Sequence, residues 1–344
     1  MKRDIRPSTP ADAPAIVDLF TQAGLQPNAD PQALHWKYWQ ERADWPGPRS
    51  YVLTTGTDLI AHGAFVPGTL AWGARRETTG HVIDWAARPG EFGAGTMIMK
   101  HIGQQVDSLL AIGGSADTLR ILPHIGFRAL GTVTGYVRPL FPVRSLHRAE
   151  KPTWRLLPRF VRSAAWKLSA PAPAGHGWQA HRLLRAEDLD KLASVFPVPS
   201  SAATLLRGID LFRYVLACPI LPMQLFAVEN AGRVGGYFLL ASAPAQVRIV
   251  DCWVDSTRTT DWSGMILCAV QEALTDPQAA EVVTWASDPL LAAALTASGF
   301  HARHEILVQL RSAAGAQFAP LPLRVQMLDN DAAYLSDGHP QLWA

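Results

Sequence analysis

The sequence predicts an α+β protein of two tandem domains, each a mixed, mostly antiparallel sheet flanked by helices. Three observations carry this expectation. At 344 residues the chain is too long for one comfortable core and suits two domains of ordinary size. Its 48% apolar and 17% charged residues are the composition of a globular protein. The same succession of strand, helix and glycine signals is also written twice, which is the first thing to test in a chain of this length.

The duplication is legible residue by residue. Residues 4–20 (DIRPSTPADAPAIVDLF) lie over 180–196 (AHRLLRAEDLDKLASVF), so that Arg6 meets Arg182, Asp12 meets Asp188, Ile16 meets Leu192 and Phe20 meets Phe196. The glycine-containing strand Leu59-Ile60-Ala61-His62-Gly63-Ala64-Phe65 has its counterpart in Arg233-Val234-Gly235-Gly236-Tyr237-Phe238. Val82-Ile83-Asp84-Trp85 answers to Ile249-Val250-Asp251-Cys252-Trp253, and a helix ends in Gly126-Phe127 and again in Gly299-Phe300. Four matches in the same order set the domains at 1–138 and 179–312, with a linker at 139–178 and a tail at 313–344.

Within the first copy, a strand at 4–6 leads through a polar turn to a helix at 11–23, whose apolar residues recur three and four apart. A second helix at 31–42 carries an aromatic stripe, Leu34, Trp36, Tyr38 and Trp39. That stripe reads as core packing or as the lining of an acceptor pocket. Strands at 51–54, 59–66 and 81–87 follow. After them come a helix at 95–105, a strand at 108–113, a helix at 116–124 and a last strand at 132–138. Helices gathered around a central run of strands argue for an α+β domain.

Between strand 81–87 and the next helix stands Gly90-Glu91-Phe92-Gly93-Ala94-Gly95-Thr96. Bare glycine backbone lets N–H groups approach an anion closely, and a helix N-terminus adds partial positive charge. Strand, glycine loop, helix and the later Gly-Phe resemble the GNAT N-acetyltransferase superfamily, in a tandem, two-copy form. The resemblance covers nearly all of 3–138 and, more weakly, 179–312. It implies that the backbone of Gly93, Ala94, Gly95 and Thr96 holds the pyrophosphate of acetyl-CoA or another acyl-CoA. It further implies that Trp85, Ala86 and Ala87 pair with the pantetheine arm as an added strand would. Ser115 stands where many members place an Asn.

The acid and the base are less conventional. An acceptor ammonium must lose a proton before its nitrogen attacks a thioester. Asp84 and His81 lie on the central strand, on opposite faces by alternation. Asp84, which Asp251 repeats, is the candidate base; it also reads as a strand-end hydrogen-bonding residue. His124, beside Pro123, reads as a helix cap. The tyrosine that many family members use as an acid is replaced by Leu122 and Leu295, and Gly90 replaces the usual Arg or Gln. In the second copy the loop is Asp255-Ser256-Thr257-Arg258-Thr259-Thr260-Asp261-Trp262-Ser263. It lacks glycine, and Asp261 and Trp262 are expected to repel and crowd a phosphate. Asp288 takes the place of Ser115.

The 139–178 segment carries six prolines (Pro139, Pro142, Pro152, Pro158, Pro171 and Pro173). Residues 144–167 carry a net charge of +6, leaving −4 for the rest of the chain. Cations interleaved with large apolar residues over 154–168 fit peripheral contact with an anionic membrane, or a connector packed against the domains. The overall +2 gives no reason to expect nucleic acid. Cys218, Cys252 and Cys268 have no metal-ligand spacing, and the first residues lack an apolar run, so a reducing, cytoplasmic setting is expected. The 327–335 segment lacks full EF-hand spacing and reads as a docked or frayed terminus.

The function these readings imply is acyl-CoA-dependent N-acyl transfer, with acetyl as the expected group. The acceptor would be an amine of a small molecule or sugar, attacking directly, without metal or acyl-enzyme. A non-catalytic tandem binding or assembly module and a Fem-type aminoacyl transferase are the alternatives. The glycine loop and the lack of a strongly basic groove favour CoA over aminoacyl-tRNA.

Overall fold

The computed structural model describes residues 3–25, 28–147, 156–173, 177–198, 202–312, 323–335 and 342–344. Along the first repeat run β1 (Arg3–Pro7), α1 (Ala13–Gln22), α2 (Pro31–Leu34), β2 (Ser50–Thr55), β3 (Asp58–Trp72) and β4 (Arg75–Ala87). They are followed by α3 (Ala94–Ile102), β5 (Ser108–Ile112), α4 (Ala116–Ile121) and β6 (Arg128–Pro139). Next come α5 (Pro142–His147) and α6 (Leu156–Ser169). The second repeat holds β7 (Trp178–Arg182), β8 (Ala203–Leu205), α7 (Ile209–Leu216), β9 (Met223–Asn230), β10 (Arg233–Ala243) and β11 (Gln246–Val254). It continues with α8 (Thr259–Ala273), β12 (Glu281–Ala286), α9 (Pro289–Ala297), β13 (His301–Ser312) and the short β14 (Leu323–Arg324).

The sheets are mixed and mostly antiparallel, as the sequence predicts. In the first unit β1, β2, β3 and β4 pair antiparallel in that order, and β4 pairs parallel with β5. The second unit repeats the scheme with β7, β9, β10 and β11 antiparallel and β11 parallel to β12.

The compact units are not the two halves of the chain. One comprises Met1–Gly131, Pro199–Leu206 and Leu307–Pro322; the other comprises Thr132–Val198, Arg207–Ile306 and Leu323–Ala344. The reason is a strand exchange. Beyond β5, the first unit is completed by residues 308–312 of β13, with Val308 opposite Ile112 and Ser312 opposite Ser108. Beyond β12, the second unit is completed by residues 134–139 of β6, with Pro139 opposite Glu281 and Thr134 opposite Ala286. Each repeat thus ends by pairing inside the other unit. Periodicity sets a strand's faces but not its neighbour, so the boundary at 138 follows the repeat and not the pairing.

Each unit has its own core. In the first, the α3 residues Ile98, Met99 and Ile102 pack on Tyr51, Leu53, Ile60 and Phe65 of β2 and β3. In the second, Trp262, Met265, Ile266, Ala269 and Val270 of α8 and Leu291 and Leu295 of α9 cover β10 to β12. Each of the larger apolar side chains among these contributes about 1.5–3 kcal/mol by leaving water. Leu122 and Leu295, in the places of the missing tyrosines, belong to these cores. Gly126 and Gly299 take positive φ (95° and 78°), ending their helices so that Phe127 and Phe300 turn inward.

The 31–42 helix is shorter than expected. After α2 the backbone widens into a π turn over His35–Trp39, closed by the Gln40 N–H on the His35 carbonyl at 2.7 Å. In a regular helix Trp36 and Tyr38 would stand about 200° apart. Here both are buried. The stretch expected as a linker contains α5 and α6. Pro142 and Pro158 sit in the first turns of these helices, where a missing N–H breaks no helical bond.

Candidate functional site

The site of the first unit starts where β4 and β5 part. Their parallel pairing runs from Thr79–Ser108 through Gly80–Leu109 to His81–Leu110 and stops. Beyond it, among the described residues, Val82 to Ala87 pair only with β3. The other edge of β4, including Trp85, Ala86 and Ala87, is thus open for an extended ligand to pair with.

A β-bulge shapes this edge. His62 pairs with Ala86 and Ala64 with Ile83, so Asp84 and Trp85 together oppose Gly63. Asp84 takes φ 49°, a left-handed conformation uncommon for a residue with a Cβ. The Asp84 carbonyl bonds the His62 ring at Nδ1, 2.9 Å away. The kink sends the Trp85 indole onto the first turn of α3, where Nε1–H donates to the Gly95 carbonyl at 2.9 Å. A Cβ at position 95 would stand 3.2 Å from that indole nitrogen, so Gly95 has a packing reason to be glycine.

The loop itself starts α3. Gly93 is its N-cap, at φ 76°. The Ala94 N–H donates to the Glu91 carbonyl at 3.2 Å and is therefore engaged within the turn. Among the described residues, the N–H groups of Gly93, Gly95 and Thr96 have no acceptor. Three of the four expected donors are thus available to an anion. The Glu91 carboxylate is held by Arg3, Nη2 to Oε2 at 2.9 Å, and the same guanidinium reaches the Phe92 carbonyl at 3.3 Å. Phe92 itself is 91% exposed. Ser115 is the N-cap of α4, its Oγ accepting from the Thr118 N–H at 3.2 Å.

Asp84 does not stand as a free carboxylate. Its Oδ2 is 2.5 Å from the Lys37 Nζ and accepts from the Tyr38 hydroxyl at 2.6 Å. Burial pushes the carboxyl up, but Lys37 and Tyr38 more than offset this and hold it below its usual range. A carboxylate held this way is a weak base. Below the bulge, the His62 Nε2 meets the Ser50 Oγ at 2.8 Å, Ser50 meets Ser8 at 2.6 Å, and the Trp39 indole donates to Ser8 at 2.9 Å. Burial lowers the pKa of His62 and of His81 to about 4, so both rings are neutral at pH 7. Neutral His81 is buried in the strand, while His124 is exposed.

No protein-family profile matches the sequence, and no curated protein matches it. Solved structures do match in three dimensions. A probable N-acyltransferase of Enterococcus faecalis superposes over 91% of this chain and 72% of its own, with a TM-score of 0.58 and 13% identity. A GCN5-related N-acetyltransferase of Anabaena variabilis matches over 90% and 73%, with a TM-score of 0.58 and 11% identity. The N-myristoyltransferase of Saccharomyces cerevisiae with bound myristoyl-CoA matches over 90% and 78%, with a TM-score of 0.61 and 12% identity.

The chain has the tandem GNAT fold.

The second GNAT copy opens in the same way and is filled by the protein itself. β11 leaves β12 after Ile249–Thr284. On the edge this exposes, the Gln326 side chain takes both backbone groups of Cys252. Its Oε1 accepts from the N–H at 2.9 Å and its Nε2 donates to the carbonyl at 2.8 Å. Ser287 bonds the tail at Leu323 and Val325, and Arg324 pairs with Asp288 at 2.5 Å while lying over the Trp253 ring. Asp251, the counterpart of Asp84, is gripped by both arms of Arg207 at 2.8 and 2.9 Å and by the Tyr237 hydroxyl at 2.9 Å. Arg207 also holds Asp329 at 2.7 Å. The tail at 327–335 is therefore docked, not frayed.

One expectation for the second loop needs correction. Trp262 does not crowd a phosphate: it is buried, with its Nε1 on the Ser256 carbonyl, and packs edge-on against Trp253. Asp261 caps the turn by accepting from the Ser256 hydroxyl at 2.6 Å. Neither Lys37 nor Gln326 is singled out by the sequence. Lys37 sits within an aromatic run, and nothing in the spacing of Gln326 places it against Cys252.

Proposed function

We propose that the protein transfers an acyl group from acyl-CoA to an amine at the first copy. The observation that carries this reading is the open β4 edge leading into a helix start with three unengaged N–H groups. An extended pantetheine arm would run along Trp85 to Ala87, and its pyrophosphate would meet Gly93, Gly95 and Thr96. Arg3 lies beside that turn and offsets the Glu91 carboxylate, which would otherwise repel a phosphate. Similar structures carry both acetyl and myristoyl transferase names, so the donor is assigned here as an acyl-CoA without a chain length.

Asp84 keeps a role in this reading, though not that of a strong base. Held ionised by Lys37, it anchors the π turn and its aromatic residues to the bulge. An acceptor amine entering beside it would meet a fixed pair of charges, and the acceptor can be a small molecule or a peptide. The test is calorimetric titration with acetyl-CoA and with myristoyl-CoA. Binding of one to one site per chain, abolished by Gly93→Glu, supports the reading. No heat with either donor refutes it.

A non-catalytic module is the second reading, favoured by the burial of Leu122 in the core and by the occupied second copy. It predicts binding without acyl transfer to any amine in a thiol-release assay.

A further inference from the structure

Helix α6 is amphipathic in the wrong sense for a helix whose apolar side serves the core. Leu157, Val161 and Leu168 are 64%, 58% and 87% exposed. With Ala164 between them they fall within an arc of about 60° on a helix of 3.6 residues per turn. Pro158 and Ala165, beside this stripe, are also exposed. The opposite side does the packing: Ser163 is buried, and Trp166 stacks on His301 at 4.0 Å. Lys167, exposed, and Arg162, half-buried, flank the outward face on its two sides. Arg159 falls on the packing side and donates to the Leu342 carbonyl at 2.7 Å, while Arg162 and Arg303 lie against the Trp166 ring. Among the described residues no helix is long and apolar enough to cross a membrane.

We propose that α6 lies on an anionic phospholipid surface, its outward aliphatic stripe entering the headgroup–acyl boundary while the rim cations meet lipid phosphates. An aliphatic stripe bordered by cations is complementary to such a surface in both of its properties. A second copy of the chain is a poorer occupant, because a two-fold pairing of this face would set the cationic rim against itself. Nucleic acid would satisfy the cations but leave the aliphatic stripe in water.

The experiment is co-sedimentation of the full chain with phosphatidylcholine vesicles and with vesicles that also contain phosphatidylserine. The partners are Leu157→Glu/Val161→Glu/Leu168→Glu and, separately, Arg162→Gln/Lys167→Gln. The expected result is binding to the mixed vesicles only, reduced about tenfold or more by either set. Because the stripe side chains are exposed, the first variant should keep the parent's thermal melt and its acyl-CoA titration. Those two readouts separate failure of this proposal from failure of the transferase reading. The proposal is overturned if the parent ignores mixed vesicles. It is also overturned if the stripe variant binds them as the parent does, or if the parent sediments as a dimer that the same variant dissociates.

Discussion

Replacing Lys37 with Met should be the most informative single change in the first unit. The Lys37 side chain is 8% exposed and that of Asp84 20%, so solvent screens their attraction little. Removing one member of a buried pair costs about 3–5 kcal/mol, because the other charge stays behind without compensation. Asp84 would keep the Tyr38 hydroxyl at 2.6 Å, a charge-assisted bond worth about 1.5–3 kcal/mol, which places the loss near the lower end, about 3 kcal/mol. The pH dependence has a definite sign. With Lys37 gone, burial is the largest single influence left on the carboxyl, and its folded pKa rises above that of the parent. The native variant then takes up the proton more readily than the native parent, so the deficit relative to the parent shrinks as pH falls from 7 toward 4. Urea denaturation of both proteins at a series of pH values measures this. Adding Asp84→Asn to the Lys37→Met variant should recover more than half of the loss, since no buried charge remains. A deficit below about 1 kcal/mol at pH 7, or one that grows on acidification, would refute the assignment of a buried pair.

Trp85→Phe removes the indole bond to Gly95 and should cost about 1 kcal/mol in stability, and it should weaken acyl-CoA binding in calorimetry by loosening the first turn of α3. His62 and His81 both hold pKa values of about 4 in the native state, against 6.5 as the ordinary value. Their contribution is present above pH 6.5 and is lost as pH falls toward 4, at about 1.4 kcal/mol per pH unit for each ring. His62→Gln should flatten that slope in denaturant titrations even though it lowers stability overall. Arg207→Met leaves Asp251 and Asp329 buried without their cation and should destabilise the second unit by about 3–5 kcal/mol, visible as an early unfolding transition. Gln326→Ala should lower stability by about 1–3 kcal/mol without creating a second acyl-CoA site, because the 255–263 turn is still occupied by its own side chains. A stoichiometry of two in calorimetry would refute that.

The sequence carried the fold further than the site. The two copies, the α+β class and the glycine loop were readable because they rest on local signals: periodicity along a helix, glycine at a turn and Gly-Phe after a helix. Even there, Gly95 answers to the Trp85 indole as well as to any ligand. Long-range contacts were not readable. Asp84 was visible, but the Lys37 that holds it comes from a π turn, and an aromatic run gives no warning of that widening. The Cys252 backbone takes its partner from Gln326, 74 residues away, through a side chain of ordinary type. Trp262 shows the opposite error: its type suggested obstruction of a ligand, whereas its bond to Ser256 and its burial make it part of the core.

The exchange of closing strands has a consequence for how this chain can be taken apart. A fragment ending after β6 would lack residues 308–312 to cover β5, and it would carry 134–139 with no β12 to receive them. Each half alone would present a bare sheet border and a loose ribbon of the complementary kind, an invitation to self-association. Supplied together, the two fragments have a reason to find each other, so a nick between the repeats should be tolerated where separate expression of either piece is not.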